Sequence, residues 1–359
     1  MSKSILAIDV GFGNTKTVWA SPGRTGYDPD KEICFSSVTP ACHLPHLEKA
    51  GGGVGGALDR VVVEVDGRHY FVGPESSLTD GVRVLDPNFI ERPEYRALLA
   101  GALHYYMKAT GNITQSIDMM VLGLPVSGYF SRRAALKTVG SRVHHVPVPA
   151  HLRQSAGGRD VIDMVAKKTI VLPQPFGGLR CALGDGADAG HDLFDANDDV
   201  FLVIDPGFNT FDWLLTRGMD PDLESSGSFA GGVSQIVRAV AHAAGMALGV
   251  GDLNFVTTER AMKTGVLMHE GRRYDFAPFR SVGLAAAQKV VDEFLLAFNL
   301  QGTGVRKIIL TGGGAISYLE ALRDRLPGFD IKVDAASVMG NARGFWLLGQ
   351  DATSEVATT

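Results

Sequence analysis

The chain is 359 residues long, 45% hydrophobic and 20% charged, the composition of an ordinary globular protein with enough apolar material for about two domains. Its 34 Lys and Arg against 39 Asp and Glu leave a net charge of −5, a mild acidity that argues against a broad nucleic-acid-binding face. No apolar run reaches the roughly 18 residues that a bilayer-spanning helix needs. No basic segment followed by an apolar one opens the chain, and no amphipathic helix precedes the first strand, so neither secretion nor membrane anchoring is expected. Cys34, Cys42 and Cys181 form no CxxC pair and read as buried thiols of a reducing cytoplasm.

In chain order, residues 4–10 are a short apolar run that predicts a buried strand. Gly11 and Gly13 mark a turn, and 15–20 are β-rich again, so the chain opens with a glycine-tipped hairpin. "AGGGVGGALD" at 50–59 cannot pack and reads as a mobile surface loop. "RVVVEVDGRHYFVG" is a second hairpin, its alternating apolar residues flanking Asp66-Gly67, the preferred type I′ pair. Pro93 opens a helix to about residue 109, closed by Gly111, with Leu98, Leu99, Ala102, Leu103 and Tyr106 as its apolar stripe. Residues 117–124 predict a buried strand ending in "GLPVS", 160–172 another, and a helix begins near Pro175. The polar stretch 191–199 is the candidate linker. A second strand–turn–strand runs from 200 to 216, followed by helices at 233–244 and 281–298. A strand at 306–310 enters "TGGGA" and a helix to about 326; a short strand at 331–333 and a helix at 339–348 follow, with "QDATSEVATT" as a frayed tail. Strands and helices alternate in both halves, which means α/β domains with mixed sheets covered by helices.

The opening hairpin occurs twice. "AIDVGFGNTKTVW" at 7–19 returns as "VIDPGFNTFDWLL" at 203–215: Ile-Asp, a spacer, Gly-Phe, then Asn-Thr. Either turn alone reads as an ordinary hairpin. Two copies, each behind Ile-Asp on a strand, point to a clasp that holds one triphosphate from opposite sides. Phosphate binding needs backbone N–H groups aimed at one spot, and glycines let the chain approach closely. Lys16, just past the first turn, supplies a cation that could reach a β- or γ-phosphate. Asp9 and Asp205, at the ends of buried strands, are unfavourable unless they hold something positive. Mg²⁺ suits them, because it keeps its waters and takes only one or two carboxylates. The chain has no GxxxxGK[ST] motif, which excludes a P-loop, and "GFGNTK" lacks the third glycine of a dinucleotide fingerprint. "ILTGGGA" at 309–315 would let a flat ring lie against Gly312, Gly313 and Gly314; by itself it is a tight strand–helix turn. "VMGNARGFW" at 338–346 opens a helix with small residues and reads either as a hinge or as a plain N-cap by Asn341.

With these pieces in order, the sequence resembles the actin, heat-shock chaperone and sugar-kinase ATPase superfamily. "IDVGFGNTK" looks like phosphate loop 1, "LGLPVS" with "LPQPFGG" like the first connecting segment, and "IDPGFNTFD" like phosphate loop 2. "LTGGGA" looks like the adenosine loop and "GNARGF" like the second connection. Within the superfamily it looks most like the ParM/StbA group of bacterial actin-like proteins, and there the plasmid-associated PRTRC protein D group, on "FSSVTPA", "YFVGPES", "PEYRALLAGALHYYM" and "NARGFW".

That resemblance implies a two-domain actin-like fold of duplicated RNase H-like domains around a nucleotide cleft. Its boundaries would be 1–195, 196–335 and a segment 336–359 returning to the first domain. It implies ATP or ADP with Mg²⁺ as cofactors, Asp9 and Asp205 holding the metal through water. Gly11, Gly13, Asn14 and Thr15 would cradle phosphates with Lys16 on the β-phosphate, and Gly207, Asn209 and Thr210 would cradle them from the other half. Gly231, Gly232, Gln235 and Arg238 would lie toward ribose or adenine, the two side chains alternatively facing solvent. One departure stands out: ParM-like proteins commonly carry a Glu near the attacking water, and the matching stretch "VLPQPFGG" has Gln174. A neutral amide orients water but cannot accept its proton, and general-base help is typically worth about 10²–10⁴-fold, so slow hydrolysis is expected. Asp212, seven positions after Asp205, is the substitute base, or else an acceptor that ties down the hairpin.

The expected function is a polymerising ATPase of the bacterial cytoplasm that segregates plasmid DNA, in head-to-tail filaments coupled through a DNA-binding adaptor protein. Direct nucleic-acid or membrane binding is not expected. A small-molecule kinase of the same fold would need a carboxylate base near its substrate, which Gln174 does not provide. A non-polymerising, nucleotide-gated scaffold or chaperone is the other alternative.

Overall fold

A computed structural model of the chain describes residues 3–23, 26–43, 58–76, 83–86, 88–184 and 199–354. The expected loop at 50–59 and linker at 191–199 lie outside these residues, except for Leu58, Asp59 and Asp199. The chain forms two compact units, Met1–Leu193 with Asp334–Thr359, and Phe194–Val333.

The first unit begins with β1 (Ile5–Val10), β2 (Asn14–Val18) and β3 (Glu32–Ser36), then a hairpin of β4 (Val61–Val65) and β5 (Arg68–Val72). α1 (Pro93–Thr110), β6 (Ser116–Leu124), α2 (Val126–Gly140), β7 (His144–Pro147), β8 (Val161–Pro173) and α3 (Gln174–Leu183) follow. Its main sheet has the order β3-β2-β1-β6-β8-β7; β1 runs antiparallel to β2 and parallel to β6, and β6 parallel to β8. β1 is buried on both faces, which is why it reads as an unbroken apolar run rather than an alternating one. Asp66 and Gly67 both adopt positive φ, 52° and 73°, as a type I′ turn between β4 and β5 requires. Pro93 opens α1 and Gly111 closes it in the left-handed region.

The second unit contains β9 (Val200–Pro206), β10 (Phe211–Arg217), β11 (Asp220–Phe229), α4 (Val233–Leu248) and α5 (Phe255–Thr264). β12 (Val266–His269) and β13 (Arg272–Asp275) form a hairpin, and α6 (Arg280–Ala297), β14 (Lys307–Leu310), α7 (Ala315–Arg325) and β15 (Asp330–Val333) complete it. The sheet order is β11-β10-β9-β14-β15, with β9–β10–β11 antiparallel and β9–β14–β15 parallel. That is the order and sense of β3-β2-β1-β6-β8, so the two units repeat one topology. An aromatic cluster of Phe211, Trp213, Phe294, Phe298 and Tyr318 fills the core beneath this sheet.

The chain then returns to the first unit as α8 (Gly340–Ser354), which ends six residues beyond the expected 348; the first half of the expected tail is helical. Phe345 and Trp346 pack on Ile5, Ala7, Met119 and Val121. Arg343 is buried on Glu32 of β3, its Nε donating to Oε2 at 2.7 Å, and donates further to the carbonyls of Gly23 and Gly26. "GNARG" opens a helix as expected, but Asn341 is the second residue of α8 rather than its N-cap, and α3 and α8 cross where a methyl group on Gly344 would overlap the Gly177 carbonyl. No helix among the described residues is long and apolar enough to cross a membrane.

Candidate functional site

In the first unit, β1 ends in Asp9 and Val10, which pair across the hairpin with Lys16 and Thr15. The four residues between, Gly11 to Asn14, close by a bond from the Gly11 N–H to the Asn14 carbonyl at 3.1 Å. Asp9 is fully buried. Its Oδ2 accepts from Lys16 Nζ at 2.7 Å and its Oδ1 from Gln174 Nε2 at 2.7 Å. Gln174 reaches it because it opens α3 directly after β8, two strands from β1 in the sheet. Thr15 and Ser37 share a hydroxyl–hydroxyl bond of 2.9 Å, and the Ser37 N–H donates to the Gly13 carbonyl. Lys16, expected on a phosphate, is therefore held by Asp9 in this structure, and the buried carboxylate is balanced from within its own unit.

The second unit repeats the turn with a different charge pattern. Asp205 pairs with Asp212 across β9 and β10, and Pro206 with Phe211; Gly207 to Thr210 close by a bond from the Gly207 N–H to the Thr210 carbonyl at 2.8 Å. Asp205 is 4% and Asp212 1% exposed, so two carboxylates share a buried cross-strand position. The turn also caps α4. The N–H groups of Gly232, Val233 and Ser234 donate to the carbonyls of Asn209, Gly207 and Phe208 at 3.0, 3.0 and 2.9 Å, and α4 has no side-chain cap. In a trans peptide the carbonyl and the following N–H point opposite ways. The N–H groups of Phe208, Asn209 and Thr210 therefore point away from α4; successive backbone donors of this kind are what anion sites use.

The glycine-rich strand–helix turn closes on the same place. Gly312 adopts φ +82° and lies so close to Asp205 that a side chain there would overlap the carboxylate oxygen. The Gly314 N–H donates to the Pro206 carbonyl at 2.8 Å, while Gly313 faces open space. Gly231 is fixed by Tyr318, whose hydroxyl donates to its carbonyl at 2.7 Å, and Gly232 packs against the Phe208 backbone. Gln235 and Arg238 are exposed on α4, and Gln235 donates its amide to the Ala230 carbonyl.

The structure thus brings together Asp9, Gly11, Gly13, Asn14, Thr15, Lys16 and Gln174 in one unit. In the other it brings together Asp205, Asp212, Gly207, Asn209, Thr210, Gly231, Gly232 and Gly312 to Gly314. No group of three or more His, Cys, Asp or Glu that could cage a metal exists among the described residues. A metal bound here would be one satisfied by one or two carboxylates and water, which fits Mg²⁺. What sequence reasoning missed is the pairing of Lys16 and Gln174 with Asp9. The equal spacing of Asp9–Lys16 and Asp205–Asp212 was its visible signal.

Comparison with known proteins matches an actin-like family model in each half. Residues 7–177 match the family described as actin like proteins N terminal domain, and 203–324 match archaeal actin homologue MreB-like, C-terminal. Among solved structures, the archaeal actin homologue Ta0583 is 20% identical with a TM-score of 0.73, over 97% of this chain and 99% of that one. A 15-stranded ParM filament from Clostridium botulinum is 18% identical with a TM-score of 0.74, over 98% and 100%. Actin-like protein Alp7A is 13% identical with a TM-score of 0.72, over 100% and 98%. A comparison of the sequence with curated proteins found no match. With both family matches falling on the two units that carry the repeated turn, the chain belongs to the actin-like proteins.

Proposed function

We propose that this chain is an ATPase that binds Mg-ATP through its two acidic turns and assembles, according to nucleotide state, into filaments that segregate plasmid DNA. The observation that carries the reading is the duplicated hairpin: a buried strand-end aspartate followed by a short turn, once in each unit. Support for nucleotide comes from the archaeal actin homologue, one structure of which is a complex with ADP, and support for assembly from the ParM filament. The finer likeness to the PRTRC protein D group rests on the sequence segments alone.

The residues present fit a magnesium nucleotide. The N–H groups of Phe208, Asn209 and Thr210 would hold phosphate oxygens, and Asp205 with Asp9 would hold Mg²⁺ through its waters. Bound there, Mg²⁺ would neutralise charge developing on the phosphates. A phosphate would compete with Asp9 for Lys16, so Lys16 moves between a carboxylate and an anion of the ligand. Gln174 gives one amide hydrogen to Asp9, which leaves its carbonyl oxygen to orient the attacking water. The proton of that water goes to Asp212, a carboxylate where Gln174 offers only an amide. Slow turnover follows from an amide where ParM-like proteins commonly carry a carboxylate base. In the cell, a DNA-binding adaptor protein would join the filament to the plasmid within the bacterial cytoplasm.

Two measurements test this reading. Calorimetry with ATP or ADP and Mg²⁺ should show uptake by the wild type and none by the Asp9→Asn, Asp205→Asn double variant; equal uptake, or none by well-folded wild type, defeats it. Sedimentation with ATP, with ADP and without nucleotide should give pelleting that depends on ATP. Transfer of phosphate to an added metabolite would favour a kinase instead.

A further inference from the structure

Both turns carry a phenylalanine in the same place, Phe12 after Gly11 and Phe208 after Gly207. A large ring on a short polar turn is unfavourable unless something covers it. Each is covered by an aromatic residue from outside its own hairpin. Phe12 stacks on Phe89, ring centroids 5.5 Å apart and planes at 23°, and Phe89 meets the buried Tyr95 of α1 edge-on at 5.4 Å. Phe208 meets Phe255, the first residue of α5, edge-on at 5.6 Å.

The backbones beneath the two rings are held differently. Three carbonyls of the second turn are bonded to the first N–H groups of α4, so its peptide planes are fixed whether or not Phe208 is seated. Among the described residues no helix N-terminus donates to the carbonyls of the first turn. Of its carbonyls, Gly13 accepts from Ser37 and Asn14 from Gly11, and Phe12 stands between two glycines, the residues with most backbone freedom to lose. Those bonds hold the Asn14 end of the turn, and the stacked ring is placed to order the Gly11 and Phe12 peptides before it.

We propose that Phe12 is the positioning residue of the first phosphate turn. Stacked on Phe89, it fixes the Gly11–Asn14 peptides and so presents their N–H groups to phosphate, without itself touching the nucleotide. In the second turn the seating of the Phe208 ring on Phe255 is dispensable for that purpose, because α4 holds the backbone. The proposal rests on the nucleotide reading above.

The experiment compares Phe12→Ala, Phe255→Ala and Phe12→Tyr, with ADP and Mg²⁺ as the probe. Phe12→Ala should weaken affinity by about tenfold or more, since small misplacements of positioning groups have effects of that order. Phe255→Ala, which uncovers the Phe208 ring, should lose less than about threefold, and Phe12→Tyr, which keeps the ring, should return to within about threefold of wild type. In steady state Phe12→Ala should raise KM for ATP with little change in kcat, because the water-orienting and proton-accepting groups are untouched. Amide exchange on nucleotide-free protein gives the second arm. Residues 11–15 should exchange faster in Phe12→Ala, and residues 207–211 should not change in Phe255→Ala. Unchanged affinity in Phe12→Ala, equal losses in the two alanine variants, or unchanged exchange at 11–15 would each overturn the proposal. Wild type that binds no nucleotide would defeat the phosphate reading separately, and the exchange arm would still decide whether Phe12 orders its turn.

Discussion

Lys16 and Asp212 occupy the same place in the two hairpins: each pairs across the strands with the buried aspartate that ends the preceding strand, Lys16 with Asp9 and Asp212 with Asp205. In one unit the position carries the counter-charge, and in the other it carries a second carboxylate. Like charges directly opposite on neighbouring strands destabilise a sheet, and more so when buried. Asp212→Asn should therefore leave the nucleotide-free protein as stable as wild type or more stable, by up to about 1 kcal/mol. The same change should lower ATP turnover by about 10²-fold, the scale of a lost general base. Chemical denaturation and a phosphate-release assay read the two effects. A destabilised but fully active variant would show that Asp212 only ties the hairpin together.

Gln174 bridges structure and chemistry in the other unit. Gln174→Ala removes the donor to Asp9 Oδ1 and leaves a buried carboxylate oxygen short of one bond, a loss of about 1–3 kcal/mol. Turnover should fall by about tenfold or more with it. Gln174→Glu should fare worse in stability, because it sets a second carboxylate against Asp9. Unchanged turnover in Gln174→Ala, alongside an inactive Asp205→Ala, would remove Gln174 from the reaction.

Elements with strong periodicity or unbroken apolar runs were legible in the sequence. β1, β9 and β14 are buried on both faces, and α1 carries a proline start and a glycine stop. Weakly patterned elements were not. α2 contains Gly128 and buries only Val126, Tyr129, Leu136, Val139 and Gly140, so its sequence shows no clear stripe. β11 is an edge strand with alternating exposure and a proline at Pro221, and it reads as loop. β3, β7, α5 and the β12–β13 hairpin were missed for related reasons: they are short or largely polar, and tertiary contacts decide their form. Within the site, the residue types were legible but the register was not. Matching Asn-Thr with Asn-Thr aligns Asn14 with Asn209; the hydrogen-bonded ladders align Asn14 with Thr210. Only that register shows Lys16 and Asp212 to be counterparts.

Gly312 makes a prediction that separates fold from ligand. Its φ of +82° strains any other residue, and a methyl there would run into Asp205. Gly312→Ala should destabilise the second unit by about 1–3 kcal/mol. The carboxylate it displaces should also lose its place for the metal, so the fall in ADP affinity should be greater with Mg²⁺ than in its absence. Gly313→Ala is the control, because its side chain would meet open space. Equal behaviour of the two variants in both assays would contradict the close packing of Gly312 on Asp205.

His104 predicts how stability depends on pH. It is buried on α1, and burial pushes its pKa down to about 4; the bond from its ring to the Pro147 carbonyl pulls the other way. Lys108 and His151 add to the lowering and Asp59 opposes it. With the carbonyl at 2.7 Å from Nδ1, the neutral ring carries its proton on Nδ1. Between its folded and unfolded pKa values the unfolded chain binds the extra proton. Stability from this group is therefore full above about pH 6.5, falls as the pH drops toward 4, and levels off below that. The whole change is at most about 3 kcal/mol. His104→Asn keeps a donor near the position of Nδ1 but cannot titrate, so its stability should vary less with pH across this window. Urea denaturation of both proteins at pH 7, 5.5 and 4.5 reads the difference. Parallel curves for wild type and variant would mean that His104 charges as readily in the fold as outside it.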